Sequence, residues 1–437
     1  MSSVAIGFVG IGFGLILLAL RVQIGVALGL VSFIGIGVLL SWRAAWGIIT
    51  AIPFNFVGDW NLTAIPMFLL MGFVASEAGL SSGLFRAMRI LLSWMPGGLA
   101  VSSVGANAVL AAASGSSVAT ASAFARIATP EMLRYGYHPG LATGVIAAAG
   151  TLGALIPPSI LMVIYGFLAE VSIARLFAAG IVPGILTALA FSFMIIIRCI
   201  LNPKLAPKIE EKFTRAEKIE AFRETWPLPV IIIGVLCGIF AGFFTPTAAG
   251  AVGAALAILL GTVRGKLNFA VMKRATEATL MSTASIFLVI IGTALLGKFM
   301  AVSGVPAYTA ELLVEFGTSP LMVLLAVCLL YLFLGMFLDS IGILLLTMPI
   351  ILPMAHGADI DLIFFGIILV KLLEIGLLTP PVGLNVYIIK AALGDRVQLT
   401  TIFKGVGWFV VVDLVLLAVL ITWPVLVTGL PDMMLQP

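Results

Sequence analysis

Two short polar clusters interrupt long apolar stretches, and their residue types suit the binding of a small cation. Gly115-Ser116-Ser117 lies in the small-residue-rich segment 99–130, and Leu338-Asp339-Ser340 lies in the apolar segment 321–354. A carboxylate within an apolar membrane segment is costly and by default functional. Hydroxyl and carbonyl oxygens are the ligands that hard cations such as sodium take. We therefore expect cation chemistry at both clusters, with helix capping by Asp339 as the alternative.

Two other apolar segments carry a double proline that must break any helix there. Segments 139–168 and about 362–390 are too long for one straight helix across a hydrocarbon core of ~30 Å. Pro157-Pro158 and Pro380-Pro381 end helical hydrogen bonding within them. Non-helical backbone at membrane depth is tolerated only where protein buries it or a water-filled cavity lies beside it. These breaks are therefore expected to lie beside the polar clusters.

Each half of the chain is thus predicted to combine one cluster with one break into an ion site. The predicted sodium ligands are Ser116, Ser117, Thr151, Gly153 and Ile156 in the first half and Asp339, Ser340, Gly376, Leu378 and Thr379 in the second, for at least two ions. The helices that restart after the clusters point their amides inward, which favours an anionic substrate. The predicted substrate contacts are Ser117, Thr120, Pro158 and Asn385. Close helix packing by small residues is the alternative for the first cluster.

Composition places these clusters inside a membrane. Of the 437 residues, 62% are hydrophobic and 10% are charged, and the mean hydropathy is +1.25. A soluble protein of this size does not hold so large an apolar fraction. Continuous spans are expected at 4–20, 22–41, 63–79, 175–197, 227–244, 246–263, 279–301 and 405–428, with 99–130 and 321–354 as re-entrant hairpins.

Several function classes are excluded or disfavoured by what the sequence lacks. The net charge of +4 is distributed as in a membrane protein rather than a nucleic-acid-binding protein, and the three cysteines lie far apart without a disulfide or metal pattern. No phosphate loop or hydrolase triad pattern is present, so neither ATP hydrolysis nor an enzyme is expected.

The two halves match in register. Pro157-Pro158 and Pro380-Pro381 lie 223 residues apart, as do Pro130 and Pro353. Most of the 23 lysine and arginine residues fall on one predicted side, including the polar connector 198–226, so that side is cytoplasmic. An odd number of spans before the second half would insert it upside down. The sequence thus predicts an all-α polytopic protein with an inverted repeat, two re-entrant hairpins and two broken helices.

The predicted organisation follows from these elements. Segments 42–62 and 264–278 are amphipathic and are expected to lie in the membrane interface as arms. The predicted units are 1–98 for the first scaffold and arm, 99–168 for the first transport elements, 169–226 for a span and connector, 227–320 for the second scaffold and arm, 321–391 for the second transport elements, and 392–437 for a C-terminal span.

Three charged residues in predicted spans have no clear part in ion binding. Lys371 and Glu374 lie three residues apart in the last broken helix, and a structural ion pair is favoured over a coupling site. Asp413 lies in the last span without an obvious partner. A buried hydrogen bond or a subunit contact is favoured there over proton transfer.

At these same residues the sequence resembles the large membrane subunit of tripartite ATP-independent periplasmic (TRAP) transporters. The resemblance covers essentially the whole chain. It rests on Gly115-Ser116-Ser117-Val118-Ala119-Thr120, Gly153-Ala154-Leu155-Ile156-Pro157-Pro158-Ser159, Gly335-Met336-Phe337-Leu338-Asp339-Ser340 and Leu378-Thr379-Pro380-Pro381-Val382-Gly383-Leu384-Asn385.

The resemblance implies an elevator-type secondary transporter in the bacterial inner membrane that couples sodium entry to uptake of organic acids such as C4-dicarboxylates or sialic acids. It also implies two partners, a small four-helix membrane subunit and a periplasmic substrate-binding protein, and we expect both to be separate chains. The alternative is a stand-alone sodium–dicarboxylate symporter. That class usually carries Ser-Asn-Thr at both hairpin tips, where this chain has Ser-Ser-Val and Asp-Ser-Ile.

Overall fold

The structure, a computed structural model, describes residues 2–80, 82–207, 213–315 and 319–434, and the regular elements among them are all helices. The first half contains α1 (Ser3–Ala19), α2 (Ile24–Leu39), α3 (Trp42–Val57), α4 (Ala64–Glu77), α5 (Ser82–Leu92), α6 (Gly98–Ser114), α7 (Ser117–Arg134), α8 (Pro139–Leu155), α9 (Ile160–Leu168) and α10 (Ile173–Leu201). The remainder contains α11 (Arg215–Thr225), α12 (Pro227–Phe240), α13 (Pro246–Val263), α14 (Phe269–Ser303), α15 (Val305–Glu315), α16 (Pro320–Gly335), α17 (Ser340–Gly357), α18 (Leu362–Gly376), α19 (Leu384–Leu393), α20 (Leu399–Thr422) and α21 (Val425–Met433).

Within the described ranges, 7 helices are long and apolar enough to cross a membrane, counting α8 with α9 as one. An eighth span arises if α11 and α12, which meet at 41°, are taken together. Four shorter apolar helices, α1, α2, α6 and α16, have 10–17 residues each. The chain is therefore a multi-pass membrane protein, as its composition predicts.

Both predicted hairpins and both broken helices are present, in the same order in each half. Helices α6 and α7 meet at a turn around Gly115, and α16 and α17 meet at residues 336–339. Gly115 has a φ of 59°, a conformation that favours glycine because a side chain is strained there. The breaks fall at 156–159 between α8 and α9 and at 377–383 between α18 and α19.

The two segments predicted as interfacial arms differ in form, and their position in the membrane interface stays a prediction. The first, predicted at 42–62, is a separate helix, α3, joined to α4 by a short 3-10 turn at Trp60–Thr63. The second, predicted at 264–278, is wrong as a separate element, because α14 runs unbroken for 35 residues and includes the predicted span 279–301. No proline falls within α14, so nothing ends the helix at the membrane surface.

Other boundaries also differ from those predicted. The C-terminal span, predicted at 405–428, is two helices, α20 and α21, because Pro424 follows the end of α20. The connector lysines Lys208 and Lys212 lie outside the described residues. The part of the connector that is described forms α11, which begins with a capping box made by Thr214 and Glu217.

Helix α8 is the buried centre of the molecule. Every residue from Gly140 to Leu155 is buried, and α8 contacts α6, α7, α10, α18, α19 and α20. Its small residues allow close approach of neighbours. A Cβ atom at Gly144 would lie 2.6 Å from the carbonyl carbon of Gly405 in α20, so the two backbones pack directly.

A buried cluster of charges ties α10, α18 and α20 together. The Lys371 ammonium donates to Asp413 Oδ1 at 2.6 Å, to Glu374 Oε2 at 3.1 Å and to Thr187 Oγ1 at 3.1 Å. Lys371, Glu374 and Asp413 are all 0% exposed. The three donors of the lysine are therefore all used, and Asp413 has the buried hydrogen bond favoured by the sequence.

We predict that Lys371→Met destabilises the protein strongly. Loss of one member of a buried ion pair costs about 3–5 kcal/mol, because the remaining charge stays buried without compensation, and here two carboxylates would remain. Thermal unfolding of the purified variant in detergent should begin well below that of the unmodified protein. Lys298→Met is the matched control, since Lys298 is exposed in α14 and has no ion pair among the described residues. Equal melting temperatures for the two variants would contradict this role.

The charge distribution predicts that the connector and the C-terminus lie on opposite sides of the membrane. Single cysteines introduced by Lys218→Cys in α11 and by Met434→Cys after α21 test this; both positions are exposed. In intact spheroplasts an impermeant thiol reagent should label the Met434→Cys variant alone. In inside-out vesicles it should label the Lys218→Cys variant alone. Labelling of both variants from the same side would rule out the predicted inversion.

Candidate functional site

The two hairpin tips are joined to the two helix breaks by backbone hydrogen bonds. In the first half, the Ile160 amide at the start of α9 donates to the Gly115 carbonyl at 3.3 Å. In the second half, the Val382 amide in the break donates to the Met336 carbonyl at 3.1 Å. Non-helical backbone in a membrane requires such partners. Each tip therefore supplies one backbone hydrogen-bond partner to its break, and the two form one local structure.

The first-half site brings together most of its predicted ion ligands. Ser117 Oγ donates to the Thr151 carbonyl at 3.4 Å. The backbone of Ser116 approaches Gly153 so closely that a Cβ atom there would lie 2.7 Å from the Ser116 carbonyl oxygen. Ile156 caps the end of α8 beside them. The tip hydroxyls and the carbonyls at the end of α8 therefore lie together, an arrangement with the oxygen ligands that sodium requires.

In the second half, Asp339 caps a helix and also faces a cavity. Asp339 Oδ2 accepts a hydrogen bond from the Gly342 amide at 3.0 Å, so this residue is the N-cap of α17. The side chain is also exposed toward a cavity. Next to it, Ser340 Oγ is buried without a hydrogen-bond partner among the described residues. A buried hydroxyl without a partner is uncommon and marks a position where a ligand can supply one.

The second break approaches the second hairpin through glycine. A Cβ atom at Gly376 would lie 2.6 Å from the Gly335 Cα, so α16 and α18 touch at their ends. Thr379 Oγ1 donates to the Ile375 carbonyl at 2.7 Å, and Leu378 is buried. The structure therefore places Gly376 beside the end of α16, and within the described residues no side-chain hydrogen bond joins Thr379 to Asp339.

A cavity of about 620 Å³ lies where the two halves meet. Both tips contribute to its wall, together with the starts of α7, α9, α17 and α19 and residues of α4 and α14. Asp339 is the charged side chain among the lining residues. Because helix N-termini carry partial positive charge, the cavity combines one carboxylate with several amide-rich helix ends.

Not every predicted site residue reaches this cavity. Ser116, Ser117, Asp339 and Ser340 line it. Thr120 is fully buried and its hydroxyl lies 2.8 Å from the Gly150 carbonyl, so it joins α7 to α8 instead. Asn385 is also fully buried, and its amide donates to the Ala147 carbonyl at 3.0 Å.

Pro158 is also buried, with its carbonyl oxygen close to Gly115. The described side chains of Thr120, Asn385 and Pro158 therefore pack within the protein rather than face the cavity. None of the three is among the residues that line the cavity, and their contact with a substrate stays a prediction.

Three serines that were not among the predicted site residues also line the cavity. Ser122 lies one turn beyond the first tip, and Ser282 and Ser285 lie one turn apart on α14. A pair of hydroxyls three residues apart in an apolar helix shares one face, and that spacing was the signal available for α14. The wall formed by α14 is therefore polar where it faces the tips.

The donor set fits a hard monovalent cation better than a transition metal. The described residues contain no group of three or more His, Cys, Asp or Glu side chains that could hold a metal ion. What the site offers is one carboxylate, several hydroxyls and backbone carbonyls, which are the oxygen donors taken by sodium and similar ions.

Comparison with known proteins agrees with this architecture. The C4-dicarboxylate TRAP transporter large permease protein DctM of Vibrio cholerae is 33% identical over 442 residues, covering 95% of this chain and 95% of that protein. The sialic acid TRAP transporter large permease protein SiaM of Vibrio cholerae is 33% identical over 383 residues, covering 87% and 88%.

A solved structure shows the same fold. The crystal structure of the Alcanivorax borkumensis YdaH transporter matches with a TM-score of 0.65 at 18% identity, covering 88% of this chain and 91% of that one. The sequence of this chain also matches, over residues 11–426, the family described as "Tripartite ATP-independent periplasmic transporter, DctM component". With paired hairpins, paired breaks and a family match over nearly its whole length, the chain belongs to the DctM family of large TRAP transporter permeases, which are transport proteins and not enzymes.

Proposed function

We propose that this protein takes up a small organic acid, a C4-dicarboxylate or a sialic acid, across the bacterial inner membrane, driven by sodium. The observation that supports this most directly is that Asp339 and the adjacent Ser340, whose hydroxyl has no hydrogen-bond partner among the described residues, both line a cavity formed by the two tips. A carboxylate in that position repels an anionic substrate unless a cation neutralises it. Binding of the anionic substrate is therefore coupled to binding of sodium.

Different parts of the site would meet the substrate and the ions. The N-termini of α7 and α17 direct amides and partial positive charge toward the cavity, which suits a carboxylate group. The carbonyls near Thr151 and the hydroxyl of Ser117 suit the first ion, and Asp339 with Ser340 suits the second. At least two sodium ions are proposed on this basis.

The movement proposed is of the elevator type. The first hairpin and both broken helices pack around α8, and the second hairpin packs on α18, while α4 and α14 form the opposite wall of the cavity. Movement of the first group past the second would carry the cavity across the membrane. Names of relatives that include a sialic acid or C4-dicarboxylate TRAP transporter support a three-part system with a small membrane subunit and a periplasmic binding protein.

We predict that Asp339→Asn weakens sodium dependence without unfolding the protein. Asparagine is a good N-cap, so α17 should keep its start, whereas the negative charge is lost. A pair of unit charges ~4 Å apart interacts by about 4 kcal/mol at an effective dielectric constant of ~20. Because Asp339 is exposed and solvent screens much of this interaction, the sodium concentration for half-maximal uptake should rise by about tenfold rather than by the full value.

The control for this variant is Asp361→Asn. Asp361 is also an exposed N-cap, accepting from the Phe364 amide at 2.7 Å, but it does not line the cavity. Uptake against sodium concentration is measured for both variants in samples with equal amounts of assembled protein. An unchanged sodium dependence in Asp339→Asn would leave this residue with helix capping alone.

A second prediction separates the three-part system from a stand-alone symporter. Proteoliposomes that contain both membrane subunits should accumulate succinate or N-acetylneuraminate only with a sodium gradient and the loaded binding protein. The 437-residue chain reconstituted alone should give no accumulation. Strong sodium-driven uptake by that chain alone would favour the stand-alone symporter.

A further inference from the structure

One arginine on the first hairpin is not used by the site described above. Arg126 lies in α7 and is exposed, and it has no ion pair or hydrogen bond within the described part of the chain. The neighbouring basic residues differ in this respect, because Arg89 pairs with Glu131 at 2.8 Å and Arg134 lies 4.0 Å from Glu131. An arginine without a counter-ion in a membrane protein is costly unless it faces water or a cavity.

The position of Arg126 on α7 continues the cavity wall. Val118, Ala119 and Ser122 line the cavity, and Arg126 follows Ser122 by four residues. With about 100° of rotation per residue, these four side chains lie on one face of α7. Buried residues such as Phe124 and Ala128 occupy the opposite face, against α8. The exposed face of α7 therefore leads from the cavity past Arg126.

The direction of that path follows from the predicted orientation. Residues after Arg134 lie on the cytoplasmic side by the distribution of charge. Arg126 is nine residues from Ser117 at the tip, or roughly 13 Å along the helix. It thus lies between the cavity and the cytoplasm, on the face that an outgoing substrate would pass.

The positive charge of Arg126 can attract an anionic substrate. Asp339 is the charged side chain in the cavity wall, and it holds an anion less well once its cation has gone. A guanidinium group further along the same wall offers an anion charge-assisted, bidentate hydrogen bonds. It would therefore draw a carboxylate away from the tips and toward the cytoplasm.

We infer that Arg126 forms a release site for the carboxylate of the substrate, in a water-filled path that leads from the cavity to the cytoplasm along α7. This rests on the proposed function for the identity of the anion, but the water-filled path does not depend on it. Arg126 contacts the substrate after it leaves the tips and takes no part in sodium binding.

The path is tested by thiol labelling of the complete membrane complex. Arg126→Cys is introduced in a background in which Cys199, Cys237 and Cys328, the free cysteines, are replaced by serine. In inside-out vesicles, an impermeant thiosulfonate should label this variant. Leu189→Cys on α10 is the control; Leu189 is 61% exposed in an apolar helix and should not react. Failure to label the Arg126→Cys variant, with normal labelling by a membrane-permeant maleimide, would overturn the path.

The release site is tested by counterflow without a sodium gradient, using succinate and N-acetylneuraminate at the cytoplasmic face. Arg126→Gln should raise the half-saturating concentration of the transported acid by about tenfold, the value of one charge-assisted hydrogen bond. Arg126→Lys should recover most of the loss, and Arg134→Gln should match the unmodified protein.

The outcomes separate this inference from the proposed function. If the unmodified protein transports one of the acids and Arg126→Gln has the same half-saturation, the release site is wrong while the proposed function stands. If the unmodified protein transports neither acid, the proposed substrate class fails, and the release site fails with it. The labelling result decides on the water-filled path in either case.

Discussion

The backbone of this protein leaves the helix at four places within the membrane, and its amides and carbonyls there need partners. Each tip supplies a partner to its break: the Ile160 amide donates to the Gly115 carbonyl in one half, and the Val382 amide donates to the Met336 carbonyl in the other. Because unpaired backbone groups are so costly in lipid, a tip cannot separate from its break without a penalty. The glycines at these contacts follow from the same requirement, since a side chain at Gly153 or Gly376 would hold the two backbones apart. Both tips line one cavity, and α4 and α14 complete its wall.

The protein treats its membrane charges in two ways. At Lys371 each donor has an acceptor, and the surrounding helices are held together by a cluster with no exposed atoms. The lysine is satisfied, although Glu374 Oε1 and Asp413 Oδ2 have no hydrogen-bond partner within the described residues. At the tips, by contrast, Asp339 is exposed to the cavity and the Ser340 hydroxyl has no partner in the described part of the chain. An exposed carboxylate beside an unpartnered hydroxyl leaves room for a ligand. The Lys371 cluster therefore joins helices to one another, whereas the tip residues line a cavity that a ligand can enter.

Much of this architecture could be predicted because its causes are local. Proline has no amide hydrogen, so Pro157-Pro158 and Pro380-Pro381 had to end a helix wherever they lay. What could not be predicted depends on distant partners. The sequence around Thr120 and Asn385 does not indicate that carbonyls of α8 lie within reach of both side chains. The partner of Asp413 is 42 residues away in α18. The amphipathic pattern at 264–278 likewise could not distinguish a separate arm from the start of a longer helix.

The unbroken α14 makes the two halves mechanically unequal. At 35 residues it is about 52 Å long, well beyond the ~30 Å of a hydrocarbon core. In the first half, the turn at Trp60–Thr63 separates α3 from α4 and can act as a hinge. In the second half, the corresponding segments form the single continuous helix α14. When the bilayer thins or thickens, the first half can adjust the angle at its hinge, while the second must tilt as a whole. A change in membrane thickness therefore affects the two halves unequally. Because α14 lines the cavity, its tilt would change the position of that wall.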